Sequence, residues 1–165
     1  IKETLPVKNI LKSLEAAKAR EEKGKSTAIG ATAPDFSGPT PDGKELSLKE
    51  AMGKVTIIDF WAAWCKPCRV ENPNVVNIYN KYHSKGLNII GVSLDRKEED
   101  WKKAIADDKL SWNHISSLDY FNDAVAKLYN VEAIPATFIL DENGVIVAKN
   151  LRGPELESKI SELLQ

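Results

Sequence analysis

The chain has 165 residues, of which 42% are hydrophobic and 28% are charged, and its formal net charge at pH 7 is -1. This length suits one domain with a real core and a short appendage, and the composition is that of a globular protein, neither disordered nor membrane-embedded. The near-zero charge excludes an overall positive field that would attract nucleic acid, and the longest apolar runs are strand-sized, too short to span a bilayer.

Residues 1–25 differ in pattern from the rest of the chain. Apolar residues recur at helical spacing around Ile10 and Leu14, and a charged, glycine-containing stretch follows. We therefore predict an amphipathic helix and linker over residues 1–25 and one main domain over residues 26–165. The chain begins without Met and without a charged and apolar leader, so no signal peptide is predicted in it.

The main domain opens with signals for a β-hairpin. Pro41, Asp42 and Gly43 form a turn motif, and residues 44–48 alternate in polarity after it. Ser47 can cap a short helix that ends before Gly53.

Strand-like and helix-like segments then alternate, which predicts an α/β fold with a mixed central sheet flanked by helices. The predicted strands cover residues 55–60, 87–92, 112–115, 136–140 and 145–148, and the predicted helices cover residues 65–82, 98–107, 122–129 and 154–164. Asn143 and Gly144 predict a tight hairpin between the last two strands.

The two cysteines, Cys65 and Cys68, lie where the first buried strand runs into a helix. At a helix N-terminus, free N–H groups and the positive end of the dipole favour a thiolate, the attacking species in disulfide exchange. We therefore predict Cys65 as the nucleophile and Cys68, one turn further, as the resolving thiol. Pro67 fits an early helical position. Lys66 either favours the thiolate by its charge or is a solvated surface lysine.

A metal site is not predicted. Two cysteines need two further ligands for structural zinc, and His83 and His114 lie far apart without ligand spacing. The only redox group predicted is the Cys65–Cys68 pair itself, with no other cofactor. An inert disulfide over so short a loop would remove little entropy from the unfolded chain.

The segment from Ile58 to Arg69, containing Trp64-Cys65-Lys66-Pro67-Cys68, closely resembles the thioredoxin active site. Ile134 and Pro135 resemble the second signature of that superfamily, and Pro73 matches its helix-kinking proline. The resemblance implies a thioredoxin fold, a thiol–disulfide oxidoreductase activity and a cis Pro135 that faces the cysteine pair.

Within the superfamily, the chain most resembles the TlpA/ResA group, which has an AhpC/TSA-type domain. Residues 33–36, the hairpin after them, and residues 91–95 followed by Trp101 carry this likeness. It implies an N-terminal β-hairpin and an inserted helix–strand element. It also implies reduction of protein disulfides in the periplasm or cell envelope, often for cytochrome c maturation. The expected electron donor is a membrane thiol reductant, and the expected anchor is a segment absent from this chain. A monomer is expected.

Two acids are candidates for proton transfer. Glu71 lies three residues after Cys68 and matches a glutamate of the ResA-like proteins, although a surface glutamate near a helix start would look the same. Asp59 interrupts an apolar strand and matches the buried aspartate of thioredoxins proper. The sequence leaves open which of the two moves the proton.

Substrate contacts are predicted for Trp64, Pro67 and Ile134. Trp64 is either an apolar surface for partner proteins or part of the core together with Trp61. With a cis Pro135, the backbone of Ile134 would pair with an extended substrate segment.

Two other functions are kept as alternatives. A peroxiredoxin-like thiol peroxidase would need Thr three residues before its reactive cysteine, where this chain has Ala62. A non-catalytic chaperone or metallochaperone on the same fold would need a histidine near the cysteines to hold copper.

Overall fold

The computed structural model of the chain describes residues 26–165. The helix and linker predicted for residues 1–25 lie outside the described residues. Within the described range the strands are β1 (Ser37–Pro39), β2 (Glu45–Ser47), β3 (Val55–Trp61), β4 (Leu87–Ser93), β5 (Asn113–Ser116), β6 (Ala136–Leu140) and β7 (Ile146–Lys149). The helices are α1 (Leu48–Ala51), α2 (Lys66–Tyr82), α3 (Glu98–Asp107), α4 (Ala124–Leu128) and α5 (Gly153–Leu163).

The central sheet has the strand order β5-β4-β3-β6-β7, and β1 and β2 form a separate antiparallel hairpin. Strand β4 is parallel to both β3 and β5, whereas β6 is antiparallel to β3 and β7. All seven residues of β3 are buried, because neighbouring strands pair with it on both edges and helices cover both faces. The mixed sheet and the N-terminal hairpin are therefore confirmed.

Local signals explain where the helices begin. Helix α1 has the capping box that Ser47 suggested, because Ser47 Oγ accepts from Glu50 N at 3.1 Å and Glu50 Oε1 accepts from Ser47 N at 3.1 Å. The helix predicted over residues 122–129 is shorter, and that start was wrong. Asp123 caps α4 through Oδ1, which accepts from Val125 N at 2.8 Å and Ala126 N at 2.9 Å, so Asn122 belongs to the preceding 3₁₀ turn.

The parallel strands β3 and β4 bring their carboxyl ends to one edge of the sheet. Trp61 at the end of β3 pairs with Ser93 at the end of β4. The chain after β3 carries the cysteines and the chain after β4 carries Asp95, so the two segments meet at that edge. Trp101 of α3, in the inserted element, is buried. No helix within residues 26–165 is both long and apolar enough to cross a bilayer.

Candidate active site

Cys65 and Cys68 are joined by a disulfide, with their Cα atoms 5.3 Å apart. Cys65 is the N-cap residue of α2, and its Sγ accepts a hydrogen bond from Cys68 N at 3.3 Å. Both cysteines are buried, whereas Lys66 and Pro67 between them are exposed. The sulfur of Cys65 therefore lies at the N-terminus of a 17-residue helix and accepts a hydrogen bond from one of its N–H groups, a place where a thiolate is stabilised.

Pro135 lies across the site from the cysteines. The Ile134–Pro135 peptide bond is cis, as the resemblance implied. Pro135 and Cys68 line the same small cavity, which has about 20 Å³ of space for the centre of a water molecule. About 10–15 Å³ is enough to hold one water. The cavity walls also include Asp59, Glu71, Asn72, Val75, Thr137, Asn150, Leu151, Arg152 and Leu156.

Asp59 projects into this cavity from the middle of β3. It lies in register between Gly91 of β4 and Thr137 of β6, and only 6% of the residue is exposed. Its carboxyl group has no hydrogen-bond partner among the described residues. Burial, and secondarily the charge of Glu71, raises the pKa of Asp59 from 3.8 to about 7. Asp59 can thus gain and lose a proton near neutral pH.

Glu71 lines the same cavity, but its carboxylate is already engaged. Glu71 Oε2 accepts hydrogen bonds from Gly153 N at 2.9 Å and from Asn74 Nδ2 at 3.1 Å. Asn74 Nδ2 also donates to Gly153 O at 3.3 Å. Glu71 therefore satisfies a free N–H group at the start of α5 and places a negative charge at that helix N-terminus.

Trp64 directly precedes Cys65 and is 50% exposed, whereas Trp61 is 1% exposed. The ring of Trp64 is 5.4 Å from Tyr120 and 6.4 Å from Phe121, measured between centroids. Arg96 lies over the ring of Tyr120, with Cζ 4.4 Å from the centroid. We call Trp64, Tyr120 and Phe121 the aromatic ledge. The sequence predicted only its first member, because the other two come from the 3₁₀ turn Tyr120–Asn122, whose position depends on the tertiary fold.

The histidines do not approach a metal-site geometry. His114 is buried, its Nε2 donates to Leu110 O at 2.9 Å, and burial lowers the pKa of His114 to about 4. His83 Nδ1 lies 2.8 Å from Leu87 O, which can only accept. Among residues 26–165 no three His, Cys, Asp or Glu side chains are grouped so that they could hold a metal ion.

Sequence reasoning missed a charged network beside the cysteines, formed by Asp95, Arg69 and Asp108. Asp95 accepts from the backbone N–H of Ala63, and Arg69 donates to the carbonyl of Ala63. One signal could have found it: Asp95 follows β4 as Cys65 follows β3, and the ends of parallel neighbours meet at one edge.

The matching family profile and two curated relatives of the chain are all thioredoxin-like. The profile of the AhpC/TSA family matches residues 29–149. The thiol-disulfide oxidoreductase ResA of Bacillus cereus is 30% identical over 156 residues, which cover 89% of this chain and 81% of the relative. The thioredoxin-like protein YneN of Bacillus subtilis is 38% identical over 119 residues, which cover 71% of this chain and 68% of YneN.

Solved structures agree in fold. The thioredoxin domain of a thiol-disulfide oxidoreductase from Bacteroides vulgatus superimposes with a TM-score of 0.78 at 39% identity, covering 84% of this chain and 99% of that chain. A thiol:disulfide interchange protein from a Bacteroides species gives a TM-score of 0.76 at 40% identity, covering 84% and 91%. The predicted thioredoxin fold is confirmed.

Proposed function

Because the chain belongs to the AhpC/TSA family and is a ResA-like thiol–disulfide oxidoreductase, we propose that it reduces disulfides of partner proteins in the cell envelope. The observation that carries the exchange chemistry is the placement of Cys65 Sγ at the N-terminus of α2, bonded to Cys68. The direction and the compartment are supported by the resemblance to the TlpA/ResA group. That group also suggests a membrane thiol reductant as electron donor and clients in cytochrome c maturation.

In the proposed cycle, the reduced pair gives two electrons to a partner disulfide. The Cys65 thiolate attacks one partner sulfur, and the other partner sulfur leaves as a thiolate that takes a proton from solvent. Cys68 then loses its proton and attacks Cys65 Sγ, which breaks the mixed disulfide. The second partner sulfur leaves and is protonated, and the Cys65–Cys68 disulfide remains for the donor to reduce.

We assign the proton of Cys68 to Asp59 rather than to Glu71. Asp59 shares a cavity with Cys68, has no hydrogen bond to another described residue, and has a pKa near 7. A general base works best with a pKa near the working pH. Glu71 holds the amide of Gly153, so its role is to anchor α5 and to raise the pKa of Asp59 through its charge. Room for one water gives the proton a path across the cavity.

Peroxidase chemistry is the weaker alternative for this site. Ala62 stands where a peroxiredoxin-like site needs Thr, and its side chain is fully buried, so no hydroxyl is available there. Trp64 of the aromatic ledge, which is 50% exposed and directly precedes Cys65, instead suits a polypeptide partner.

The proposal assigns partner binding to the aromatic ledge together with Pro67 and the backbone of Ile134. We expect Trp64→Ala to raise KM for a disulfide-bonded protein about tenfold, because a buried aromatic contact contributes about 1–2 kcal/mol. The rate with a small aromatic disulfide should change less than threefold. Ile29→Ala, which also removes an exposed apolar side chain and lies next to the strand β7 rather than the ledge, is the matched control. Equal losses with both substrates would refute a role of Trp64 in protein recognition.

The reduction potential of the pair tests the proposed direction. Equilibration with defined ratios of reduced and oxidised dithiothreitol, read by thiol alkylation and mass, gives the midpoint. We expect a value nearer the about −270 mV of thioredoxin than the about −120 mV of a strongly oxidising relative. A midpoint at the oxidising end would overturn the reductant assignment and leave the exchange activity intact.

A further inference from the structure

The backbone of Ala63, two residues before Cys65, is held from both sides by charged side chains. Its N–H donates to Asp95 Oδ1 at 2.9 Å and to Asp95 Oδ2 at 3.1 Å. Its carbonyl accepts from Arg69 Nη1 at 3.0 Å. Asp95 comes from the segment after β4 and Arg69 from α2, so two separate elements fix one residue of the turn that leads into the cysteines.

Asp95 is itself built into the fold. Only 1% of it is exposed, and Ser93 Oγ donates to Asp95 Oδ2 at 2.6 Å while accepting from Asp95 N at 3.0 Å. A buried carboxylate is unfavourable unless donors surround it. The donors here are the hydroxyl of Ser93 and the N–H of Ala63, so the energy of burying Asp95 is offset only while the turn keeps this conformation.

Arg69 is anchored in the same way on the carbonyl side. Its Nε lies 2.6 Å from Asp108 Oδ2 and its Nη2 donates to Asp108 Oδ1 at 3.1 Å, a two-point pair. Asn72 Nδ2 donates to Asp108 Oδ2 at 2.8 Å. The two-point geometry leaves the remaining Arg69 nitrogen directed at Ala63 O.

The position of Cys65 depends on this turn. The N–H of Cys65 donates to Ala62 O at 3.1 Å, and in this arrangement Cys65 Sγ accepts from Cys68 N at 3.3 Å. We propose that Asp95 is a positioning residue for the cysteine pair, which holds Ala63 N–H and so keeps Cys65 Sγ at the N-terminus of α2. This inference rests on the exchange chemistry of the family and not on the proposed direction of electron flow.

The negative charge of Asp95 and its hydrogen bond to Ala63 have opposite expected effects on the stability of the Cys65 thiolate. This difference makes the inference testable. If Asp95 acted only as a nearby negative charge, removing that charge would favour the Cys65 thiolate. If it acts by positioning, losing the hydrogen bond lets the turn relax, and the thiolate loses stabilisation by the helix. Asn keeps one oxygen that can accept from Ala63 N–H, whereas Ala keeps none.

The experiment compares Asp95→Ala with Asp95→Asn in the reduced protein. We measure the rate of alkylation of Cys65 by iodoacetamide from pH 5 to 9, kcat and KM with a protein disulfide, and the midpoint against dithiothreitol. We expect Asp95→Ala to slow alkylation at pH 7 by roughly tenfold and to lower kcat rather than raise KM, while Asp95→Asn stays within about threefold of wild type. The midpoint of Asp95→Ala should become more negative, because the thiolate of the reduced form is less stable.

Two further variants serve as controls for this experiment. Asp100→Asn removes a nearby exposed charge without touching Ala63 and should leave all three readouts unchanged. Ser93→Ala removes the hydroxyl that orients Asp95 while keeping its charge, and should slow alkylation by about threefold; it decides the matter if Asp95→Ala does not fold. Faster alkylation in Asp95→Ala and Asp95→Asn alike, or no change in Asp95→Ala and Ser93→Ala, would overturn the positioning role.

Discussion

Cys68→Ser is expected to accumulate a stable mixed disulfide between Cys65 and its partner protein, and to lose turnover. Without Cys68, the mixed disulfide waits for an external thiol. An intramolecular attack gains a high effective molarity, so we expect release to slow on the order of 10³-fold or more. Cys65 rather than Cys68 is expected to initiate because Cys65 is the N-cap residue of α2 and its Sγ accepts a hydrogen bond from a backbone N–H of the first turn. Mass spectrometry of the non-reduced protein detects the adduct.

The matched variant is Cys65→Ser, which should form no adduct and show no activity above the free reductant. This contrast separates the roles of the two cysteines. Adducts that form in Cys65→Ser and not in Cys68→Ser would reverse the assignment. The trapped species also identifies partner proteins directly, because the partner stays attached by a covalent bond.

Asp59→Asn is expected to make the protein slower and more stable at once. The amide cannot take the proton of Cys68, so the resolving step should slow by about 10²-fold at pH 7. The wild-type rate should rise with pH through about 7, as Asp59 becomes a base, and this rise should be absent in the variant. Stopped-flow fluorescence of the tryptophans near the site follows the step.

Glu71→Gln provides the control for that profile. It keeps an oxygen for Gly153 N–H but removes the charge that helps raise the pKa of Asp59. We expect the rate of the resolving step in Glu71→Gln still to rise with pH, but at a lower pH than in the wild type. If Glu71→Gln loses the rise and Asp59→Asn keeps it, the proton belongs to Glu71 instead.

The stability of Asp59→Asn follows from linkage. The pKa of Asp59 is about 7 in the folded protein and its ordinary value is 3.8, so the folded state binds the proton more tightly. Between these two pKa values the free energy of unfolding of the wild type falls as pH rises. Above pH 7 the full cost of burying the ionised Asp59 carboxylate remains. We expect Asp59→Asn to stabilise the oxidised protein by about 2 kcal/mol at pH 8, after the cost of a buried amide.

Thermal unfolding of the oxidised forms at pH 4 and pH 8 checks this prediction. The gain should be present at pH 8 and largely absent at pH 4, where Asp59 is protonated in the folded state and close to half protonated in the unfolded state, so that little of the penalty has developed. An equal gain at both pH values would mean that packing rather than charge is responsible.

The sequence predicted most of the architecture because its signals are local. The uninterrupted apolar run of β3, the Ser47 cap and the cysteines at a helix start each depend on neighbours along the chain. Position 59 stood out for a similar reason, as an acid inside an apolar strand. The predicted start of α4 at residue 122 was wrong. The Asp123 cap that sets the true start is also a local signal, but a single capping residue is a weaker pattern than the spacing of apolar residues.

The roles of the site residues could not be read in the same way. Asp59 and Glu71 were equivalent candidates until the fold showed that Gly153, 82 residues further on, engages Glu71. The same holds for Asp95, whose partner Ala63 is 32 residues away. Such contacts depend on which loops the sheet order brings together, and no periodicity in the chain encodes that order.

Helix α5, whose first residue Gly153 is anchored by Glu71, can dock only after it has been synthesised. Leu156 of α5 forms part of the wall of the cavity that Asp59 lines. A ribosome delivers the cysteines and Asp59 long before residues 153–165. Until α5 docks, the cavity around Asp59 lacks the wall that Leu156 provides, and the burial that raises the pKa of Asp59 is incomplete. In the proposed cycle, Cys65 and Cys68 can therefore be oxidised before α5 is synthesised, whereas Asp59 can accept the proton of Cys68 only after α5 has docked.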